Sequence, residues 1–275
     1  MPSAPGKPWS KALQAEPSEP REPGPAMMNP AEVANIARVE ESLWWFRGMR
    51  EITFALLDPV VNRRPARRIL EAGCGTGFFA AALQQRYRAQ VVALDRETEA
   101  IRHCRRRPAL HPAQGSILAL PFPQATFDLV ACMDVLPHFA PGQEEGPFAE
   151  LVRVLRAGGI LLLRAAALGA FHSRHSEYVW ERQRFTRRRL RELAEKHRLR
   201  ILRLTYANFF LTPVAFVKFR FYEPLTGQPP ASGVRPLTAP LNQLLYLPLA
   251  AERLWLSGGL SFPWGQSLFL LAQKS

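Results

Sequence analysis

Ile69-Leu70-Glu71-Ala72-Gly73-Cys74-Gly75-Thr76-Gly77-Phe78 is the stretch on which the reading of this chain turns. An apolar run ends in three glycines spaced two apart, and a helical pattern follows directly. Glycine permits a tight turn and lets a ligand approach the backbone, while the start of a helix offers N–H groups and a positive end. Glycines alone are weak evidence. Two acids add specificity: Glu71, two residues before the first glycine, and Asp95, which closes the next apolar run (Val91-Val92-Ala93-Leu94-Asp95) eighteen residues after Gly77. A carboxylate at the tip of the second strand can take both hydroxyls of a ribose.

Working outward, short apolar runs at 68–72, 90–94, 127–132 and 159–164 read as buried parallel strands. Helical stretches at 77–88, 97–106 and 143–156 separate them. Such alternation predicts an α/β, doubly wound, mostly parallel sheet. A basic helix at 186–197 leads to a further strand at 199–206. Upstream, Asn29 and Pro30 offer an N-cap and a first-turn proline. Apolar positions then recur through Val33, Ile36, Val39, Leu43 and Phe46, with a second helix over 48–60. The segment from 208 to 264 is aromatic and interrupted by proline, too long for a simple loop, and reads as helical. The expected organisation is a tail at 1–29, a helical cap at 30–64, a core at 65–207, a helical insertion at 208–264 and a last core strand within 265–275. Residues 1–30 hold eight of the 25 prolines and read as a disordered tail. Met27 and Met28 offer an alternative start of translation.

These residues resemble a family, the class I S-adenosylmethionine-dependent methyltransferases. Glu71-x-Gly73-x-Gly75-x-Gly77 is similar to their first motif and differs from the GxGxxG spacing of nicotinamide-binding domains. Gly115-Ser116-Ile117 through Phe122 resembles the third-strand segment, with Ser116 where an Asp usually binds adenine. Phe127-Asp128-Leu129-Val130 and Met133-Asp134-Val135-Leu136-Pro137-His138 resemble the fourth strand and its end. Leu151-x-Arg153-Val154-Leu155-Arg156-Ala157-Gly158-Gly159 is similar to the turn that follows. Trp44-Trp45-Phe46-Arg47-Gly48-Met49-Arg50, the segment around His175 and Arg184-Phe185-Thr186-Arg187, and Phe262-Pro263-x-Gly265-x-Ser267 look like a methyltransferase type 11 subgroup. The chain departs from that subgroup at Ser176, where it has Asp, and at Phe185, where it has Tyr.

The resemblance implies a Rossmann-like fold and S-adenosyl-L-methionine as cofactor. Glu71, Gly73, Cys74, Gly75, Gly77, Asp95, Arg96, Ser116, Ile117 and Met133 would surround it. Trp44 and Trp45 either cover that pocket, with Arg47 or Arg50 on the cofactor's carboxylate, or anchor the first helices. Methyl transfer needs a general base only when the acceptor is weakly acidic. His138, just past the fourth strand, is the first candidate and His175 the second. His172 and His175 could chelate a metal, but no third ligand is evident, so no metal site is expected. The acceptor is expected to be a small molecule, a glycan or a lipid-linked group.

Composition limits the alternatives. Lys and Arg number 36 against 23 Asp and Glu, a formal charge of +13, which fits nucleic acid, an anionic membrane or an anionic substrate. A nucleic-acid acceptor is disfavoured because the fourth strand ends in Met-Asp-Val-Leu, unlike the Asn/Asp-Pro-Pro-Tyr of amino-methylating nucleic-acid enzymes. A non-catalytic binding or membrane-associated protein on the same scaffold, and a nicotinamide-dependent oxidoreductase, are the remaining alternatives. Three cysteines without paired spacing exclude a disulfide scaffold. No apolar run reaches the roughly 18–20 residues of a membrane span, and no signal-peptide pattern opens the chain, which makes a cytoplasmic location the expectation. The apolar-aromatic stretches from Asn208 to Phe221 and from Leu241 to Leu256, with Lys218, Arg220 and Arg253 among them, read as helices packed on the mouth of the sheet. Peripheral membrane contact and a hydrophobic acceptor pocket are the alternatives.

Overall fold

The structure is a computed structural model that describes residues 29–275. The readings made for the preceding residues, Met27 and Met28 included, lie outside the described part. Asn29 caps helix α1 (Pro30–Val39), its side chain accepting the Ala31 N–H at 3.1 Å. The apolar periodicity expected to run on to Phe46 is broken at residues 40–43, and helix α2 spans Trp44–Val61. Trp44, Trp45 and Phe46 therefore open the second helix rather than closing the first. A pattern repeating every three or four residues cannot distinguish one helix from two that share a buried side.

The core alternates β1 (Arg68–Ala72), α3 (Phe78–Tyr87), β2 (Gln90–Asp95), α4 (Thr98–Arg105), β3 (His111–Gln114), β4 (Phe127–Met133), α5 (Glu145–Val154) and β5 (Leu155–Ala166). Short helix α6 (Arg174–Tyr178), helix α7 (Arg187–Lys196) and strand β6 (Leu199–Ala207) follow. The strands order as β3-β2-β1-β4-β5-β7-β6, where β7 is Ser267–Lys274. The first five are parallel, and β7 lies antiparallel to both neighbours. This is the expected doubly wound sheet. Its central strands are apolar on both faces, since helices cover both sides; Ile69, Leu70, Leu94, Leu129, Leu161 and Leu163 are all inaccessible to solvent.

Between β6 and β7 the chain forms α8 (Thr212–Val217), a wide turn at Lys218–Tyr222, α9 (Glu223–Thr226), an irregular strap and the long α10 (Ala239–Ser257). Helix α10 packs along α2, and the contact depends on Gly48, where a Cβ would come within 2.4 Å of Leu249. Asn242 accepts the Trp44 N–H at 2.7 Å and donates to the Ser42 carbonyl at 2.8 Å; the Tyr246 hydroxyl donates to Glu51 at 2.6 Å. The N-terminal helices and the insertion thus share one helical layer.

Candidate active site

The glycine loop joins β1 to α3. Gly73, Gly75 and Gly77 take φ values of +81°, +51° and +74°, where an L side chain is strained. The Gly73 and Cys74 amides donate to the Leu94 carbonyl at 2.8 and 2.9 Å, tying the loop to the end of β2. A Cβ on Gly73 would strike Val135 and one on Gly77 would strike the Cys104 sulfur, so the loop is closed on those sides. At Gly75 nothing lies within 4 Å, leaving room for a ligand against the backbone. No side chain caps the first turn of α3, which leaves its positive end available to one. Cys74 and Cys104 are both buried, their sulfurs 3.4 Å apart.

Asp95 closes β2 beside the loop. One oxygen accepts the Gly75 N–H at 2.8 Å and the other accepts the Glu97 N–H at 3.0 Å. Each oxygen keeps a second lone pair, so the fixed carboxylate can still accept two hydroxyls. Burial raises its pKa, and the amides of Glu97 and Gly75 oppose that rise. Glu71 lies deeper, at 2% exposure, with one oxygen lacking a partner. Burial pushes it well above the usual carboxylate range, with Cys104 adding to the effect. A pre-placed acid, an orphaned oxygen and an open glycine cradle fit a ligand carrying ribose hydroxyls and an amino group.

Ser116 turns its hydroxyl back onto the Leu118 N–H at 3.2 Å, and Ile117 is a buried core residue. Arg96 has its guanidinium 3.5 Å from Glu97. Met133, at the end of β4, lines a cavity of about 60 Å³ with Trp45, Arg50, Phe78 and Arg164. That volume is well below the several hundred Å³ of a small-molecule site, so a nucleoside-sized ligand needs these side chains to move. A larger opening of about 460 Å³ runs down α3 past Gln85 and Arg86.

Sequence reasoning missed the ion pair that holds Arg164 at the wall of the smaller cavity. Arg164, the last residue of the apolar run at 159–164, meets the Asp134 carboxylate at 2.6 Å and lies 4.9 Å from the centre of the Trp45 ring. Asp134 has a φ of +58°, and its amide donates to the Arg164 carbonyl at 2.8 Å. The signal was present: a lone Arg at the end of a buried strand is costly without a partner. Also missed was Glu40, 3% exposed, which accepts the Thr76 hydroxyl and meets Arg107 at 2.6 Å. These contacts join the end of α1 to the glycine loop.

The two histidines differ in environment. His138, 9% exposed, has an Nδ1 without a partner; burial lowers its pKa, against the influence of the Trp180 backbone and Asp134. His175 accepts the Gly233 N–H at Nδ1, 3.0 Å away, and lies 3.8 Å from Glu32. Burial, then Arg184 and Lys218, bring its pKa down to about 4. The strap therefore occupies the nitrogen that a base would use. Ser176 accepts from Arg184 at 2.9 Å, and Phe185 is fully buried.

Residues 69–159 match a family model described as a methyltransferase domain. A probable S-adenosylmethionine-dependent methyltransferase of Mycobacterium tuberculosis is 33% identical over 141 residues, covering 50% of this chain and 48% of that protein. A fatty-acid O-methyltransferase of Mycolicibacterium smegmatis is 36% identical over 120 residues, covering 42% of this chain and 41% of its own. The chain spans about half the length of the curated relatives it matches. Among solved structures, a geranyl diphosphate methyltransferase in complex with S-adenosylmethionine superposes with a TM-score of 0.56 at 16% identity, over 97% of this chain and 95% of that one. That likeness is one of fold. Residues 69–159 are thus similar to methyltransferase domains, on a fold shared with solved S-adenosylmethionine-dependent methyltransferases.

Proposed function

We propose that this chain transfers a methyl group from S-adenosyl-L-methionine to a small-molecule or lipid-linked acceptor. The observation that carries the reading is Asp95, held by the Gly75 and Glu97 amides beside a loop whose open side is Gly75. When bound, the cofactor supplies an electrophilic methyl carbon on a sulfonium. In the reading proposed here Asp95 takes the ribose hydroxyls. The glycine loop and the first turn of α3 face the methionyl end, with Glu71 beneath them, and Ser116 and Ile117 flank the base. Arg96 and Met133 border the same space.

The chain's own work is positional. It holds the acceptor in line with the methyl carbon and keeps water out. With the cofactor bound, its methyl carbon would be the centre passed to the acceptor, and Trp45, Arg50 and Arg164 around the cavity would set the acceptor's position. Trp45, partly covering the cavity, suits the exclusion of water, and Arg164 and Arg50 give that cavity a cationic wall. A carboxylate acceptor needs no base. For a hydroxyl acceptor His138 is the proposed base, because burial keeps its imidazole neutral and Nδ1 is unpartnered. His175 is the weaker candidate, for its Nδ1 is held by the strap.

Titration calorimetry with S-adenosylmethionine on the full chain and on Asp95→Ala tests the cofactor assignment; equal affinity for the two proteins sinks it. Incubation with labelled cofactor and fractionated small-molecule and lipid extracts tests the acceptor class. Label found only in nucleic acid would replace that part of the reading.

A further inference from the structure

Of the large apolar side chains that are exposed among the described residues, seventeen in all, fifteen lie between Phe210 and Trp264. They are organised. Phe210, Val214, Val217, Phe221 and Leu225 recur every three or four residues along α8 and α9, and Leu225 is 86% exposed. Leu237, Leu241, Leu244 and Leu247 do the same before and along α10, with Leu254 seven residues further on, and the opposite side of that helix packs Tyr246, Leu249 and Leu256 inward. The two stripes are joined by an aromatic cluster around Phe262, with ring centres 5.6 Å from Phe210 and 5.9 Å from Trp255. A surface helix of a soluble protein normally turns polar side chains outward. Here the outer face is the apolar one, and a contiguous patch of this kind marks an interaction site.

Charge identifies the occupant. Residues 208–264 contain four basic and two acidic side chains. Both acids are used internally: Glu252, fully buried, accepts the Asn208 and Phe210 amides, and Glu223 accepts the Arg174 amide. Lys218, Arg220 and Arg235 are exposed, so within this segment the patch presents Phe, Trp and Leu beside exposed charges that are all cationic. Aromatic and aliphatic side chains settle at the boundary of headgroups and acyl chains, and each nearby Lys or Arg adds attraction to an anionic leaflet. Among the described residues no helix is long and apolar enough to cross a membrane. We propose that the α8–α9 and α10 faces seat this protein on an anionic lipid bilayer, lying in the interface without spanning it.

The proposal does not depend on methyl transfer; a chain that binds bilayers and transfers no methyl leaves it intact while removing the function proposed above. The test is flotation of the full chain with vesicles of phosphatidylcholine alone and with about 30% phosphatidylglycerol. The expected result is comigration with the anionic vesicles, weakened about tenfold on the neutral ones and reduced by added salt. Phe221→Ser/Leu225→Ser should weaken binding about tenfold, and Lys218→Glu/Arg220→Glu should bring it down to the neutral-vesicle level. Leu225→Ser alone, at the most exposed position, covers the case in which a double variant misfolds by circular dichroism. Absence of the wild-type chain from both vesicle fractions overturns the proposal. So does wild-type binding by the folded variants, or a stable dimer in which residues 212–226 are protected from hydrogen exchange.

Discussion

Arg164 and Asp134 are joined twice, by a 2.6 Å contact between side chains and by a 2.8 Å hydrogen bond from the Asp134 amide to the Arg164 carbonyl. The backbone bond holds the ends of β4 and β5 in register, so the ion pair adds position more than cohesion. Arg164 is 12% exposed and Asp134 33%, which places the pair at the edge of water. Arg164→Met should cost about 1–3 kcal/mol in denaturant titration, because Asp134 loses its partner in a half-buried place. On the function proposed here, methyl turnover should fall more than stability does. A variant equal to wild type in both would show that the pair is an ordinary edge contact.

Asp95→Asn keeps an oxygen that can accept the Gly75 or the Glu97 amide, so the loop should stay folded. Affinity for S-adenosylmethionine should drop about 10–100-fold, as expected when a charged acceptor of two hydroxyls becomes a neutral one. Calorimetry beside a thermal melt separates lost binding from lost structure.

Gly73→Ala and Gly75→Ala should rank in a fixed order. Both add a Cβ at positive φ, but at Gly73 that atom lands 2.2 Å from Val135, whereas at Gly75 it meets nothing within 4 Å. Strain alone should cost Gly75→Ala about 1–2 kcal/mol, and overpacking should cost Gly73→Ala about 1–3 kcal/mol more. Gly75→Ala should nevertheless impair cofactor binding, since its new methyl fills the open side of the cradle. Denaturant midpoints together with binding isotherms would read both effects.

His175 titrates near 4 in the folded chain, below its ordinary 6.5. Between those values the unfolded chain binds the extra proton and the native chain does not. The contribution of His175 to stability is therefore present above pH 6.5 and is lost as pH falls toward 4. His175→Gln can still accept the Gly233 N–H but cannot take up a proton. Melting temperatures of the two proteins should run parallel above pH 7 and then separate, with wild type falling more steeply. Parallel curves down to pH 4.5 would refute the assignment.

The sheet was legible because its strands are buried on both faces and so read as unbroken apolar runs, and because glycines and an acid punctuate them at β1 and β2. Asp95 and the glycine loop were legible for the same reason, since everything they need is local. Arg164, Asp134 and Glu40 were not. Their partners lie 30 residues away for Arg164 with Asp134, and 36 and 67 for Glu40 with Thr76 and Arg107. Nothing local marks a pairing that only the fold creates. His175 shows the same limit from the other side. As a sequence feature it is a free base on a loop, and the structure spends its Nδ1 on the Gly233 amide, 58 residues on.

Strand β7 occupies the place between β5 and β6, bonded to each along its length. Everything up to residue 266 can therefore assemble into a five-strand parallel sheet and one stray strand, but not into a finished molecule. A chain cut short there would carry two raw edges, β5 and β6, each offering unpaired amides and carbonyls to any passing strand. Quality control of this protein, in a cell or in a test tube, thus hinges on its eight-residue keystone: a truncated product should announce itself as an aggregate rather than as a soluble protein of reduced activity.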